Sequence, residues 1–215
     1  MQFSDIIGQA AVKQHLIHTA SDDRIAHAQL FWGNEGSGNL PLAIAYAQFV
    51  LCENKQATDS CGTCKACVKA QKLIHPDLHF SYPTVGAKAL STELLPQWRK
   101  ALQQQSYLTI NQWLALLGGE NKQGNITAAE CLDISKKLSL KAFESDYKIL
   151  ILWLPEYLGK EGNRLLKLIE EPPEKTLFLL VANNQELILN TILSRCQLVK
   201  INPLDDADYY RAIIH

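Results

Sequence analysis

The strongest strand signal in the chain is the near-continuous apolar run at 147–154. Such a run predicts a central parallel strand, because a strand buried on both faces has no polar face to alternate with. Residues 176–182 give a second buried run, and shorter ones lie at 29–32, 77–82 and 196–201. Between them, helical patterns cover 10–20, 42–50, 64–74 and 163–170. Thr127 with Glu130 three residues on is a capping-box signature for a helix running through Leu138. Pro41 is tolerated in the first turn of its helix, and Pro172-Pro173 stops the helix at 163–170. Helix alternating with strand predicts an α/β fold built on a largely parallel five-stranded sheet.

Residues 83–124 interrupt this rhythm. Two helices are expected there, near 92–105 and 110–117, ending at Gly118-Gly119. Trp98, Tyr107 and Trp113 read as local packing aromatics, with a partner-binding patch as the alternative, since aromatic residues are enriched at interfaces. No internal repeat or low-complexity tract is visible.

Candidate chemistry begins at Gly33-Asn34-Glu35-Gly36-Ser37-Gly38-Asn39-Leu40. The glycines keep the spacing of the phosphate-binding pattern G-x-x-x-x-G-K-[ST], in which lysine reaches the β/γ-phosphates and the hydroxyl holds magnesium. Here those positions are Asn39, without charge, and Leu40, without oxygen. The strand before the loop and the helix after it supply the context the pattern requires. A glycine-rich turn with no nucleotide history is the alternative reading.

Four of the six cysteines cluster as Cys52, Cys61, Cys64 and Cys67, spaced C-x8-C-x2-C-x2-C. Thiolates at this spacing can converge on one tetrahedral ion, and a closed four-thiolate structural zinc site fits best. An iron–sulfur cluster or paired redox thiols are the alternatives. The neighbours Gly62, Thr63, Lys65 and Ala66 offer neither a base nor an open ligand, which argues against catalysis at the metal. Cys131 sits on a helical pattern and reads as a small core residue.

Composition adds mainly exclusions. The 215 residues are 47% hydrophobic and 20% charged, ordinary values for a globular chain with a sizeable core. A net charge of −1 gives no bulk attraction to nucleic acid or anionic membrane. No apolar run reaches the ~18 residues needed to cross a bilayer. The amino-terminal residues carry no signal-peptide pattern. A cytoplasmic location with reduced thiols is therefore expected.

Five ordered segments can be read together. These are Phe3-Ser4-Asp5-Ile6-Ile7-Gly8-Gln9; Ala26-His27-Ala28 ahead of Leu30-Phe31 and the loop; the four-cysteine insert; Leu165-Leu166-Lys167-Leu168-Ile169-Glu170-Glu171-Pro172-Pro173; and Thr191-Ile192-Leu193-Ser194-Arg195-Cys196. Together they resemble the delta-prime subunits of the bacterial DNA polymerase III clamp loader, within the AAA+ superfamily. The resemblance covers most of 1–203 apart from 83–124.

It implies a three-layer AAA+ domain over 1–203, with a zinc module at 52–67 and a helical lid beginning at 204–215. The family continues into a helical lid and collar. The stop at His215 leads to the expectation that most of these lie outside the sequence. The resemblance also locates the acidic motif of active ATPases near Leu152 and Trp153, neither of which can hold magnesium; Glu156 reads as a loop residue. The sensor position falls on Asn183, expected to satisfy backbone groups. Arg195, in the S-R-C motif, corresponds to an arginine finger acting on the ATP of a neighbouring subunit. Its other reading is a surface arginine in a local ion pair.

The function so implied is that of a non-hydrolysing clamp-loader subunit. Gly33, Gly36, Gly38 and Asn39 would bind nucleotide weakly or not at all. The partners would be the gamma/tau motor subunits and the clamp-opening delta subunit, and through them the sliding clamp and primed DNA. The alternatives are an active motor subunit, disfavoured by the missing lysine and acid, and a zinc-containing scaffold outside replication.

Overall fold

A computed structural model describes residues 1–86, 89–119, 123–204 and 208. Five strands form one all-parallel sheet: β1 (Ala28–Trp32), β2 (Leu78–Ser81), β3 (Lys148–Trp153), β4 (Thr176–Ala182) and β5 (Gln197–Lys200). Their order is β2-β3-β4-β1-β5. All residues of the central strands β3 and β4 are buried, as their unbroken apolar runs predict. The edge strand β5 buries only Val199 of its four residues.

Alternation along the strands makes two cores. Ile149, Ile151 and Trp153 face one side with Leu177, Leu179 and Val181. Leu150, Leu152, Phe178 and Leu180 face the other. The first side is covered by α1 (Ala10–Ser21), α2 (Asn39–Leu51), α3 (Lys65–Gln71), α4 (Leu95–Gln104) and α5 (Ile110–Leu116). The second is covered by α6 (Ala128–Ser139), α7 (Leu166–Glu170) and α8 (Asn190–Leu193). Every residue of α2 is buried, so this helix is apolar all round and lies inside the molecule.

Some expectations hold and others need correction. The two helices expected within 83–124 are present as α4 and α5, which dock to the sheet through an aromatic cluster. Tyr82 stacks on Trp98 with centroids 4.1 Å apart, and Trp113 meets both rings edge-on at 5.1 Å. Trp98 and Trp113 are fully buried, which leaves no aromatic partner patch at these two residues. The helix expected over 163–170 is α-helical only from Leu166; a 3-10 segment, Pro155–Leu165, precedes it and kinks at Gly159. Thr127 does cap α6, accepting from Glu130 N, but the Glu130 carboxylate does not turn back to the cap. It is buried against Ser91, taking the Ser91 amide at 2.9 Å and its hydroxyl. The expected start of a lid at 204–215 lies almost wholly outside the described residues.

The loop entering β3 is held by one buried side chain. The Asp77 carboxylate accepts from the amides of Phe143 (2.5 Å), Glu144 (2.8 Å) and Ser145 (3.0 Å). Burial alone would raise its pKa, but the three amides and the Ser145 hydroxyl outweigh it, and the net shift is downward. A depressed native pKa contributes stability that is present above the unfolded value of about 4. That contribution is lost as pH falls through the lower native value. Asp77→Asn should therefore lower stability at pH 7 and flatten the acid limb of the stability curve, measured by urea unfolding from pH 7 to pH 2. An unchanged acid limb would show that the clasp is not charge-dependent.

Candidate functional site

The glycine-rich loop leaves β1 at the carboxyl edge of the sheet, the edge where ligands bind in open α/β folds. Trp32 lies beside Ala182 in register, so Gly33 adjoins Asn183. Gly36 and Gly38 have φ of +86° and +89°, the left-handed conformation that only glycine adopts freely. A side chain at Gly38 would also meet the ring of Tyr107, 3.2 Å from a Cβ built there. The phosphate-loop shape is kept.

The residue at its lysine position is engaged by the protein itself. Asn39 is buried, and its Nδ2 donates to Gly33 O (3.2 Å), Ala182 O (3.1 Å) and Asn183 Oδ1 (2.9 Å). Asn39 Oδ1 accepts from the amide of Leu40 at 3.1 Å, and the Ser37 amide donates to Asn34 O at 3.0 Å. Two amides of the anion-binding turn are thus spent inside the protein. Leu40 is buried in the core. The loop is also held from outside: Gln9 Nε2 donates to Ser37 O (3.2 Å) and Asn202 O (2.7 Å), and Tyr107 Oη accepts from Ile7 N at 3.1 Å.

Leu152 and Trp153 are both buried, with Trp153 packed on Trp98 at 5.2 Å. At the position to which the resemblance assigns the acidic motif, both side chains are apolar and buried. Glu156, read above as a loop residue, has a defined task. Its Oε1 accepts from the amides of Asn183 (2.6 Å) and Asn184 (2.7 Å), bridging the ends of β3 and β4. Burial raises its pKa, opposed only in part by these amides. The sequence left no trace of this contact, because backbone amides carry no residue identity. Asn183 satisfies backbone groups less than expected: its side chain takes Asn39.

Arg195 follows α8 on the second side of the sheet. Its Nη2 lies 3.1 Å from Glu170 Oε2, and its Nη1 donates to Thr191 O at 2.8 Å. The arginine remains partly exposed, so the pair is a surface one of small strength. The Arg195 guanidinium bonds to Glu170, Thr191 and Ser194 and makes no direct bond to Asn39 or Asn183.

The four cysteines converge as the spacing predicts. The Sγ atoms of Cys52, Cys61, Cys64 and Cys67 all lie within 4.8 Å of one another. Backbone amides donate to three of the sulfurs: Cys61 N to Cys52, Cys64 N to Cys61, and Cys67 N to Cys64, at 3.3, 3.3 and 3.4 Å. Donation from Cys64 and Thr63 amides brings the Cys61 thiol down to about 6, favouring the thiolate that binds metals. Burial pushes Cys52 and Cys67 up. The donor set and its amide support fit a metal ion. Cys131 is buried in the second core, as expected.

The insert is not a self-contained appendage. Asp59 accepts from the amides of Phe3 (3.0 Å) and Ser4 (2.9 Å), and Gln2 Nε2 donates to Ser60 O at 2.7 Å. Gln48, fully buried in α2, links Ser60 Oγ to the amino terminus.

These features define a class: an AAA+-like α/β domain with a glycine-rich loop, whose Asn39 side chain bonds to the protein, and a four-cysteine insert. A family model described as DNA polymerase III, delta subunit, matches residues 8–205, and the chain belongs to that family. It is 27% identical over 197 residues to the DNA polymerase III subunit delta' of Bacillus subtilis, covering 91% of this chain and 48% of the relative. It is 24% identical over 214 residues to the subunit tau/gamma of Haemophilus influenzae, covering 99% of this chain and 25% of that protein. The chain thus spans about half the length of its delta-prime relative. A gamma subunit-related protein of Thermotoga maritima has a similar fold, with a TM-score of 0.53 at 15% identity over 93% of this chain and 48% of that one. Among the described residues no helix is long and apolar enough to cross a membrane.

The ties through Asp59 generate a prediction. Asp59→Ala should speed amide exchange at Phe3 and Ser4 about tenfold or more, since local opening sets protection. Metal content should be unchanged, because Asp59 is not in the sulfur cluster. Hydrogen exchange read by mass spectrometry measures it; unaltered protection at both amides would mean the insert does not hold the amino-terminal segment.

Proposed function

We propose that this chain is the non-hydrolysing subunit of a sliding-clamp loader, arranging the motor subunits and the clamp-opening subunit and lending Arg195 to a neighbour's ATP site. The observation that carries the reading is the loop: Asn39 fills it, Leu40 is buried, and no acid stands at Leu152–Trp153. Phosphoryl transfer needs a phosphate-reaching cation, a metal ligand and a group to position water, and these positions supply none of them. Family membership supports the clamp-loader assignment over a scaffold outside replication.

The arginine role rests on chemistry and placement. A guanidinium is always charged and forks onto phosphate oxygens. Among the described residues, the only charged partner holding Arg195 is the exposed Glu170 carboxylate, beside the Thr191 carbonyl and Ser194 hydroxyl, and a phosphate could displace that surface ion pair at small cost. Motor-subunit identity, the alternative suggested by the tau/gamma similarity, would require an open loop with a lysine at position 39.

We assign zinc to the cysteine cluster. Tetrahedral coordination at Zn–S distances of about 2.3 Å places sulfurs about 3.8 Å apart. Cys61 and Cys67 lie 3.9 Å apart. Cys52, Cys61, Cys64 and Cys67 would hold the ion, closing the insert with no open position for substrate. One zinc per chain is expected by metal analysis after metal-replete purification, and Cys64→Ser should abolish it. Iron in its place, or less than about a tenth of an equivalent of zinc, rejects the assignment.

In a loader assembled from full-length subunits, Arg195→Ala should lower ATP turnover and clamp loading while leaving assembly and metal content intact. A trans arginine contributes ~10³–10⁵ at one site in small GTPases, and the bulk effect is far smaller where other sites keep their own. Arg195→Lys should behave nearly as alanine, because lysine keeps charge and loses the planar fork. Wild-type rates for both variants would make Arg195 a structural residue.

A further inference from the structure

From the loop's Asn39 a series of local contacts follows the backbone toward Arg195. Asn39 Nδ2 reaches Asn183 Oδ1, and Glu156 Oε1 holds the amides of Asn183 and Asn184. Asn184 Oδ1 in turn accepts from Glu186 N at 3.0 Å, capping the 3-10 turn Gln185–Leu187. Leu189 O then takes the amides of Ile192 (2.8 Å) and Leu193 (3.1 Å), and Arg195 N donates to Ile192 O at 3.1 Å. Ile188 and Ile192 are buried in the second core, and Gly162 leaves just enough room: a Cβ there would lie 3.0 Å from Ile192 Cδ1. The segment from Asn183 to Arg195 is thus pinned at its entry by polar contacts and at its middle by packing.

Its entry matters most. β4 ends at Ala182, and past that point no ladder partner fixes the backbone. Glu156 supplies the acceptor for two consecutive amides that would otherwise need one. Asn39 holds the Asn183 side chain and the Ala182 carbonyl from the other side. Two residues from different elements, the helix α2 and the turn after β3, therefore hold the stretch 182–184 and meet at Asn183.

We propose that Asn39 and Glu156 are positioning residues for Arg195, fixing the end of β4 so that the following segment presents the guanidinium in one place without nucleotide. In a loop that binds ATP, contacts to phosphate would be made and lost with each turnover. A side-chain amide is covalently resident, so the grip here is permanent. This inference rests on the trans role assigned to Arg195, and its test separates the two.

The first arm uses the full-length protein alone. Asn39→Ala and Glu156→Ala should each speed amide exchange across Asn183–Arg195 about tenfold, with the four-cysteine insert protected as before. If Asn39→Ala does not fold, Asn39→Thr, which fills more of the space, replaces it. Unchanged exchange in both variants overturns the inference, whatever Arg195 does. The second arm uses the assembled loader. Each variant should lower kcat for ATP with KM and assembly unchanged, and each should add nothing to Arg195→Ala when the two are combined. Additive losses would show that the residues act on stability rather than through Arg195, and would overturn the positioning role. An Arg195→Ala variant with wild-type turnover would instead sink the trans role, and the exchange arm would still decide whether the grip exists.

Discussion

A buried helix N-terminus is the constraint on which the rest of this fold hangs. α2 is enclosed on every side, so its first amides cannot turn to water. In a nucleotide-binding relative of this architecture an anion would meet them. Here the first residue of the helix turns its own side chain inward, giving an oxygen to Leu40 N and an amide to Gly33, Ala182 and Asn183. One residue satisfies the turn and ties β1, α2 and the end of β4 together. Leaving such groups unpaired in the interior would cost about 1–3 kcal/mol each, so the loop without a ligand needs a side chain of this kind.

From that point two sets of contacts spread outward. One passes through Asn183 and Glu156 toward the segment carrying Arg195. The other encloses the loop from the opposite side: Gln9 grips Ser37, and Tyr107 lies on Gly38 while taking the Ile7 amide. The amino-terminal residues that contribute to this enclosure are themselves held by Asp59 and Ser60 of the cysteine insert. The insert thus touches the loop by way of the amino-terminal residues. A metal bound by the cysteines would brace the same wall of the domain that closes the nucleotide edge.

The sheet was legible in the sequence because its central strands are buried on both faces. Runs such as 147–154 and 176–182 admit few other readings, and the observed strands agree within a residue or two. The cysteine cluster was legible for a similar reason: short-range spacing alone brings three of the sulfurs together. What was not legible depends on long-range partners. Glu130 matches a capping box, yet Ser91, 39 positions away in sequence, claims its carboxylate. Trp98 and Trp113 read as packing aromatics, but nothing local marks Tyr82 as the partner of both or Trp153 as a partner of Trp98. Glu156 binds backbone amides, which leave no signature at all. The loss of lysine at position 39 was plain, whereas the task taken up by asparagine emerged only from the fold.

The central claim is that the phosphate loop is closed by its own residue. Titration calorimetry of the chain with ATP and magnesium tests it directly. The account predicts no saturable heat up to about 1 mM nucleotide, a binding free energy weaker than about −4 kcal/mol. Saturable one-to-one binding in the micromolar range would contradict it, because Asn39 would then have to leave the loop whenever ATP arrived.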